Sequence, residues 1–359
     1  MLEPKGKKIC IIVTSLGRGG AERSSSLLTK MLSNAGHEVH LVTVMKVIDY
    51  SYEGQLLNLG THDNKTSSLI NKFRKFRILK RYLKHHNFDI VIDNRTRPVL
   101  FRELVMARWV HDPVKTIYTV RSFNLGLYFI KPNWLAKRIY KDAKNIVAVS
   151  KQIASEIRKR YELQNVVTIY NPIEPIEATL PRYTGTYILF FGRMEDDVKN
   201  ISLLLDAYAS SQLPGKSIDL LLLGDGKDKD TLKQKVATMQ LSEHITFLPF
   251  QSDPFNYVKG AMFTVLTSHY EGFPRSVIES LSIGTPVVSV DCDSGPKEII
   301  TNEYNGLLVK NYNVEALAHA MDRMVNDPDL YEKCKSNAKL SVESFSMNSI
   351  AAKWLELLN

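Results

Sequence analysis

The chain has 359 residues, 44% hydrophobic and 24% charged, with a net charge of +9. That length suits two domains with a core each, and no apolar run approaches the roughly 18–20 residues a membrane span needs. The three cysteines, Cys10, Cys292 and Cys334, offer neither a disulfide framework nor a metal-ligand spacing, and Ile9–Val13 is too short for a secretory signal, so a cytoplasmic protein is expected.

The first half alternates short β-branched runs with longer helical patterns. Ile9–Val13, Val39–Val44, Ile90–Ile92, Thr116–Val120 and Ile146–Val149 are apolar on both faces, as buried parallel strands are. Ala21–Asn34 and Phe73–His85 read as helices between them. From Tyr170 to Tyr183 the periodicity stops, and Pro172 and Pro175 mark a linker. A second series follows: Tyr187–Phe191, Leu220–Leu223, Ile245–Phe247, Phe263–Leu266 and Val287–Val290. The expected fold class is α/β, with two facing Rossmann-like doubly wound domains spanning 1–172 and 173–345. Ligands of such sheets sit at strand carboxyl ends, which predicts a working cleft between the domains. A last helix within 346–359, around Trp354, is free to return to the first domain.

Charge divides unevenly. Met1–Pro172 holds 30 Lys and Arg against 13 Asp and Glu, a net +17, and the remainder nets −8. The first half is therefore expected to face something anionic, either a membrane surface or nucleic acid.

Two motifs carry chemistry. Gly17-Arg18-Gly19-Gly20-Ala21-Glu22 is a glycine-rich turn entering a helix, where backbone N–H groups can approach a polar ligand; it reads equally as a plain tight turn. Glu22 stands where a dinucleotide fingerprint needs its third glycine, and Thr43-Val44-Met45-Lys46 supplies no acid for a ribose, which argues against a nicotinamide enzyme. The second motif is Glu271-Gly272-Phe273-Pro274-Arg275-Ser276-Val277-Ile278-Glu279. It predicts a short helix from about Arg275 that stops at Gly284. The N–H groups of Arg275, Ser276 and Val277 would then favour a diphosphate at the positive helix end. A carboxylate suits vicinal sugar hydroxyls, although on spacing alone Glu271 and Glu279 read as well as loop and solvated helix residues.

This second segment resembles the paired-glutamate motif, seven residues intervening, of retaining glycosyltransferase family 4, whose members have the two-Rossmann GT-B fold. Other stretches agree in order: Gly19–Glu22, Ala148–Ser150, Tyr170–Ile173, Phe191-Gly192-Arg193 with Lys199-Asn200, Gly224-Asp225-Gly226, Gly284–Val288 and Asn305–Val309. The resemblance implies that Glu279 holds the ribose and Glu271 the donor sugar. It assigns Arg193 and Lys199 to the diphosphate, and backbone near Phe250 and Gln251 to the base. Fixed cations and helix-end N–H groups would stabilise the leaving group without a metal or other cofactor. The co-substrate implied is a nucleotide sugar, with UDP the commonest nucleotide in the family. Here Arg193 and Lys199 stand one position further apart than the family's usual spacing. Arg121 follows the fourth strand where many members carry a histidine, so it either replaces that histidine or meets an anionic acceptor; His269 and the His85-His86 pair are no evident substitutes.

The stretch from Lys65 to Lys84 interleaves Lys72, Arg74, Lys75, Arg77, Lys80, Arg81 and Lys84 with Phe73, Phe76, Ile78, Leu79, Tyr82 and Leu83. At helical spacing this is a basic amphipathic face suited to anionic lipid, and equally a helix packing its apolar stripe with lysines in water. A second such run lies between Tyr128 and Lys141. The reading that follows is a retaining hexosyl- or N-acetylhexosaminyltransferase, peripheral at the inner membrane face, with a polyprenyl-linked or surface-glycan acceptor. A nucleotide-sugar epimerase or hydrolase shares the scaffold, and a nucleic-acid-binding protein would use the charge. No nucleic-acid motif accompanies it, so no nucleic-acid partner is expected.

Overall fold

Strands that are apolar on both faces need cover on both, and this chain supplies it with helices. The computed structural model describes residues 6–17, 19–62, 68–179 and 183–359; Arg18 and Lys65 lie outside them. The chain divides into Met1–Pro172 with Met347–Asn359, and Ile173–Ser346.

In the first unit the order is β1 (Lys8–Val13), α1 (Gly20–Asn34), β2 (Glu38–Thr43), β3 (Gln55–Asn58), α2 (Ser68–His86), β4 (Ile90–Asp93) and α3 (Leu100–Val105), which runs into a π-helical turn at Met106–Val110. Then come β5 (Thr116–Val120), α4 (Asn133–Tyr140), β6 (Asn145–Ala148), α5 (Lys151–Tyr161) and β7 (Val166–Thr168). The seven strands are parallel, in the order β3-β2-β1-β4-β5-β6-β7. Strands β3 and β7 are absent from the sequence reading. Both are short edge strands with half-exposed positions, so neither shows the doubly apolar signature.

The second unit runs β8 (Tyr187–Phe191), α6 (Asp196–Lys199), α7 (Ile201–Ser210), β9 (Asp219–Leu223), α8 (Lys229–Thr238), β10 (Ile245–Leu248), α9 (Phe255–Gly260), β11 (Thr264–Leu266) and α10 (Arg275–Ile283). It continues with β12 (Val287–Asp291), α11 (Pro296–Ile299), β13 (Gly306–Lys310), α12 (Val314–Asn326) and α13 (Pro328–Ser341). Its parallel order is β10-β9-β8-β11-β12-β13. Ile173 donates to the Phe345 carbonyl at 2.8 Å and pairs with Ser346, which closes this unit on itself. Helix α14 (Met347–Leu358) then returns to the first unit. There Ile350, Trp354 and Leu358 bury against Leu28, Met31 and Leu32 of α1.

Strand order reverses between β1 and β4 in the first sheet and between β8 and β11 in the second. At such a point neighbouring connections leave in opposite directions and open a crevice at the carboxyl ends. In the first unit this end carries a buried charge network. The Asp93 carboxylate, last in β4, accepts from Arg95 Nη2 at 2.6 Å and Nε at 2.9 Å. Arg97 donates to the carbonyls of Asp93, Arg95 and Thr119, and its guanidinium lies over Tyr118, Tyr128 and Tyr140. Glu103 accepts from the Tyr140 hydroxyl at 3.0 Å, with Arg95 at 3.8 Å.

The two acids titrate oppositely. Burial raises Asp93, but Arg95, Arg97 and His111 outweigh it and hold the carboxyl down at about 2. Burial pushes Glu103 up to about 7, because Arg95 and Arg97 offset it only in part. A raised acid stabilises the fold while protonated, so the Glu103 contribution is complete below its ordinary pKa and lost as pH rises through about 7. The Asp93 contribution is present above its ordinary pKa and lost as pH falls towards about 2. Between pH 5.5 and 8.5 only Glu103 of this pair changes state. Urea denaturation should show wild-type stability falling by on the order of 2 kcal/mol across that window, and Glu103→Gln should flatten the fall. Equal slopes in both proteins would place an ionised Glu103 in the neutral fold.

Candidate active site

At the reversal in the second sheet, the loop after β8 meets the loop after β11. Gly192 and Arg193 follow β8, and the chain folds into the single turn of α6 before α7. That turn takes up the extra residue between Arg193 and Lys199 and leaves Lys199 at its end. Lys199 Nζ donates to Glu271 Oε1 at 2.6 Å, both side chains being mostly buried. The loops are joined twice more, by Thr267 Oγ1 on the Lys199 carbonyl at 3.0 Å and by the His269 N–H on the Val198 carbonyl at 2.9 Å. Close backbone approach continues into the loop after β9. A Cβ on Gly224 would fall 1.9 Å from the Gly192 carbonyl oxygen, so that position admits only glycine.

Glu271 is fixed from three directions. Its Oε1 also accepts from Ser268 Oγ at 2.7 Å, and its N–H donates to the Asp293 carbonyl at 2.9 Å. Gly272 is held through its carbonyl, which accepts from Ser294 Oγ at 2.7 Å, and Phe273 packs edge-on against Phe345. Pro274 leads into α10 without a side-chain cap, so Arg275, Ser276 and Val277 form the positive end of a helix directly after Glu271. Helix α10 stops at Gly284, whose φ of +95° is in the left-handed region open to glycine. Glu279 lies one turn in, buried, with Oε1 accepting from Arg275 Nε at 3.1 Å. The pairing of Glu279 with Arg275 is a feature the motif spacing does not announce.

The outer members of the site are less constrained. Arg193 is 65% exposed and reaches Glu195 at 3.2 Å. The Phe250 N–H, expected at a base, donates to Asp225 Oδ2 at 2.9 Å, and Gln251 follows half-buried. Among the described residues no cluster of three or more His, Cys, Asp or Glu side chains is placed to hold a metal ion.

In the first unit Gly19 and Gly20 open α1, Gly19 as its N-cap with no side-chain bond. Arg121 follows β5 and donates from Nη1 to Asn171 Oδ1 at 2.9 Å, beside a crevice lined by Ser24, Thr119 and Trp354. His269 stacks on Tyr312, and His86 packs with His40, Tyr82 and Phe88. Of the three lysines expected to face a membrane, Lys72 is exposed. Lys75 instead turns inward, its ammonium 3.3 Å from the Val44 carbonyl at the end of β2, because its position on α2 leans over the sheet. Lys80 lies 4.3 Å above the Trp109 ring. Phe76, Ile78, Leu79, Tyr82 and Leu83 pack on the core of Cys10, Ile12 and Val42, so the ordinary packing reading of this stripe holds. Sequence reasoning missed Ser268 and the Asp93–Glu103 network. The run Asp93-Asn-Arg-Thr-Arg97 at the end of a buried strand was the available signal for the latter.

Comparison with known proteins follows this geometry. Residues 174–341 match the family model "Glycosyl transferases group 1", and residues 18–176 match "Glycosyltransferase Family 4". The chain is 27% identical over 372 residues, 98% of this chain and 99% of the relative, to an N-acetylgalactosaminyltransferase of Campylobacter jejuni named for an N,N'-diacetylbacillosaminyl-diphospho-undecaprenol substrate. It is 23% identical, over 98% of this chain and the whole relative, to an uncharacterized glycosyltransferase of Haemophilus influenzae. Among solved structures, TarM superposes with a TM-score of 0.80 at 17% identity, covering 98% of this chain and 99% of that one. Anabaena HepE in complex with UDP gives 0.74 at 18% identity over 98% and 99% of the two chains. These likenesses establish the fold: two parallel-sheet Rossmann-like units of the GT-B kind.

The Lys199–Glu271 bond is open to a direct test. Lys199→Met and Glu271→Gln, singly and together, should show a coupling of about 1–2 kcal/mol in urea denaturation, since each single change strands a mostly buried partner. Additive effects would mean that the two groups do not meet in solution.

Proposed function

We propose, for a chain that belongs with the glycosyltransferases of GT-B fold, that it moves a hexosyl or N-acetylhexosaminyl group from a UDP-sugar to a lipid-linked or surface-polysaccharide acceptor with retention of configuration. The observation that carries this reading is the joining of Lys199 and Glu271 beside the uncapped start of α10. A diphosphate seated on the N–H groups of Arg275, Ser276 and Val277 meets a positive helix end and the Lys199 ammonium together. Glu271 presents its carboxylate to the sugar hydroxyls, and Glu279 accepts from the ribose. UDP is favoured by its presence in the TarM and HepE structures. A polyprenyl-linked acceptor is favoured by the named substrate of the Campylobacter relative, and it would put the reaction at the inner face of a membrane. The comparisons do not favour an epimerase, a hydrolase or a nucleic-acid-binding protein.

In the chemical step the bond from the anomeric carbon to the diphosphate breaks, and its electron pair leaves on the phosphate oxygen. Lys199, Arg193 and the α10 N–H groups stabilise that charge in place of a metal ion. The acceptor hydroxyl attacks from the same face and gives its proton to the departing diphosphate. Retention follows, with no covalent intermediate on the protein.

Two measurements test this. A panel of nucleotide sugars assayed in excess EDTA should give turnover with a UDP-sugar, and proton NMR should show the donor's anomeric configuration in the product. Inversion, or activity restored only by magnesium or manganese, contradicts the mechanism. Glu279→Ala should weaken UDP binding by roughly tenfold to a hundredfold, the loss of a charged hydrogen-bond partner being worth about 1.5–3 kcal/mol. Unaltered affinity by calorimetry removes Glu279 from the ribose.

A further inference from the structure

The first unit carries an apolar ridge that its own core does not use. Phe73 on α2 and Val99, Leu100, Phe101 and Trp109 on the α3 side are 40–59% exposed. Scattered exposed hydrophobics are ordinary, whereas a contiguous group of large ones marks a contact surface. These residues are contiguous. Phe73 meets Phe101 edge-on at 6.1 Å, and further along the same two elements Lys80 lies over Trp109. The π-helical turn, which adds a residue to the helical repeat, carries Arg108 and Trp109 on its exposed side.

Charge selects the occupant. Between Lys72 and Lys84, α2 has seven Lys and Arg and no Asp or Glu. Arg102 and Arg108 extend the exposed positive rim along α3 and the π-helical turn. A second copy of this chain, apposing the same face, would bring like charges together. A nucleic acid would stack bases on open ring faces, but Lys80 covers the Trp109 face and Phe73 meets Phe101 edge-on. Aliphatic Val99 and Leu100 beside them suit acyl chains better than bases. Aromatic side chains at headgroup level, apolar ones just beneath and cations around them are the pattern of an interfacial membrane contact.

We propose that this ridge docks the protein on an anionic bilayer, with Phe73, Leu100 and Phe101 entering the acyl boundary. In this arrangement Trp109 and Lys80 sit at headgroup level, and Arg77, Arg102 and Arg108 engage lipid phosphates. The binding is thus partly apolar, not electrostatic alone. The inference deepens the lipid-linked acceptor reading and rests on it for its purpose. Chain topology agrees: α3 leaves the carboxyl end of β4, so Phe101 lies on the rim that carries the acceptor-side loops.

The test uses the full chain with vesicles of phosphatidylglycerol and phosphatidylethanolamine. Trp354 is buried, so a Trp134→Phe background makes Trp109 the exposed reporter. Its emission should shift to the blue on anionic vesicles and be quenched by brominated lipid. About 0.5 M salt should weaken binding but leave a residue, since screening spares the apolar part. Phe73→Ser/Phe101→Ser should abolish that residue with unchanged melting temperature. Arg77→Gln/Arg102→Gln should weaken low-salt binding by roughly 30-fold, about fivefold for each charge. Turnover on a short soluble acceptor should be unchanged in the serine variant, and turnover on a vesicle-bound acceptor should fall. Trp109 emission that ignores vesicles overturns the proposal, as do a serine variant that binds like wild type and an emission shift produced by RNA but not by vesicles. Wild-type protein that turns over neither acceptor refutes the glycosyl-transfer reading, while the vesicle measurements still decide the ridge.

Discussion

A parallel sheet whose strand order reverses leaves two loops diverging from adjacent strands, and any site built there needs something to hold them in register. In the second unit that role falls to Lys199 and Glu271, one from each loop, joined at 2.6 Å. The backbone bonds beside them, His269 to Val198 and Thr267 to Lys199, carry the loops to the point where the charges meet. Two opposite charges this far from solvent hold each other only because the geometry is good and Ser268 satisfies the carboxylate further. The consequence for chemistry is that an acid for sugar hydroxyls and a cation for phosphate are already placed at the head of α10 before any donor arrives.

The strands and the second motif were legible because their physics is local. A buried parallel strand must be apolar on both faces, and β1, β5 and β8 are read within a residue of their ends. Proline before a helix and glycine after it delimit α10 for reasons that need no tertiary information. What was not legible depends on partners distant in sequence. The edge strands β3 and β7 are defined by hydrogen bonds to neighbours, not by their own apolar pattern. The Arg275–Glu279 pair is a one-turn contact, visible in principle as a spacing of four, but either residue alone reads as a solvated helix position. Ser268 gives no signal at all until the loop brings its hydroxyl to Glu271.

Counting charge shows the same boundary from the other side. The net +17 of the first segment suggests a strongly basic surface, yet Arg95 and Arg97 are buried against Asp93, backbone carbonyls and tyrosine rings. Those two guanidiniums neutralise interior acids and order loops; they attract no partner. The cations that do reach solvent are concentrated on α2 and along α3, where no acid offsets them. Net charge from composition therefore points to the right unit but to too many residues, and only burial tells which of them face outward.

The two switch points also differ in how far their cations are ordered. Arg97 is held by three carbonyls and three aromatic rings, so the loops after β4 and β5 are tied together in the free protein. Arg193, at the other site, is mostly in solvent with a single acidic neighbour. Ordering such a side chain costs up to about 2 kcal/mol of rotamer entropy, and a bound diphosphate would have to supply it. Lys199 has already met that cost through Glu271, but its bond there must be shared once a phosphate arrives. Charge on the leaving group grows as the glycosidic bond breaks, so a cation that engages weakly at first and fully later favours the transition state over the bound donor. An exposed Arg193 beside a preordered Lys199 is suited to that division: one cation defines where the diphosphate sits, and the other strengthens its hold as the charge develops.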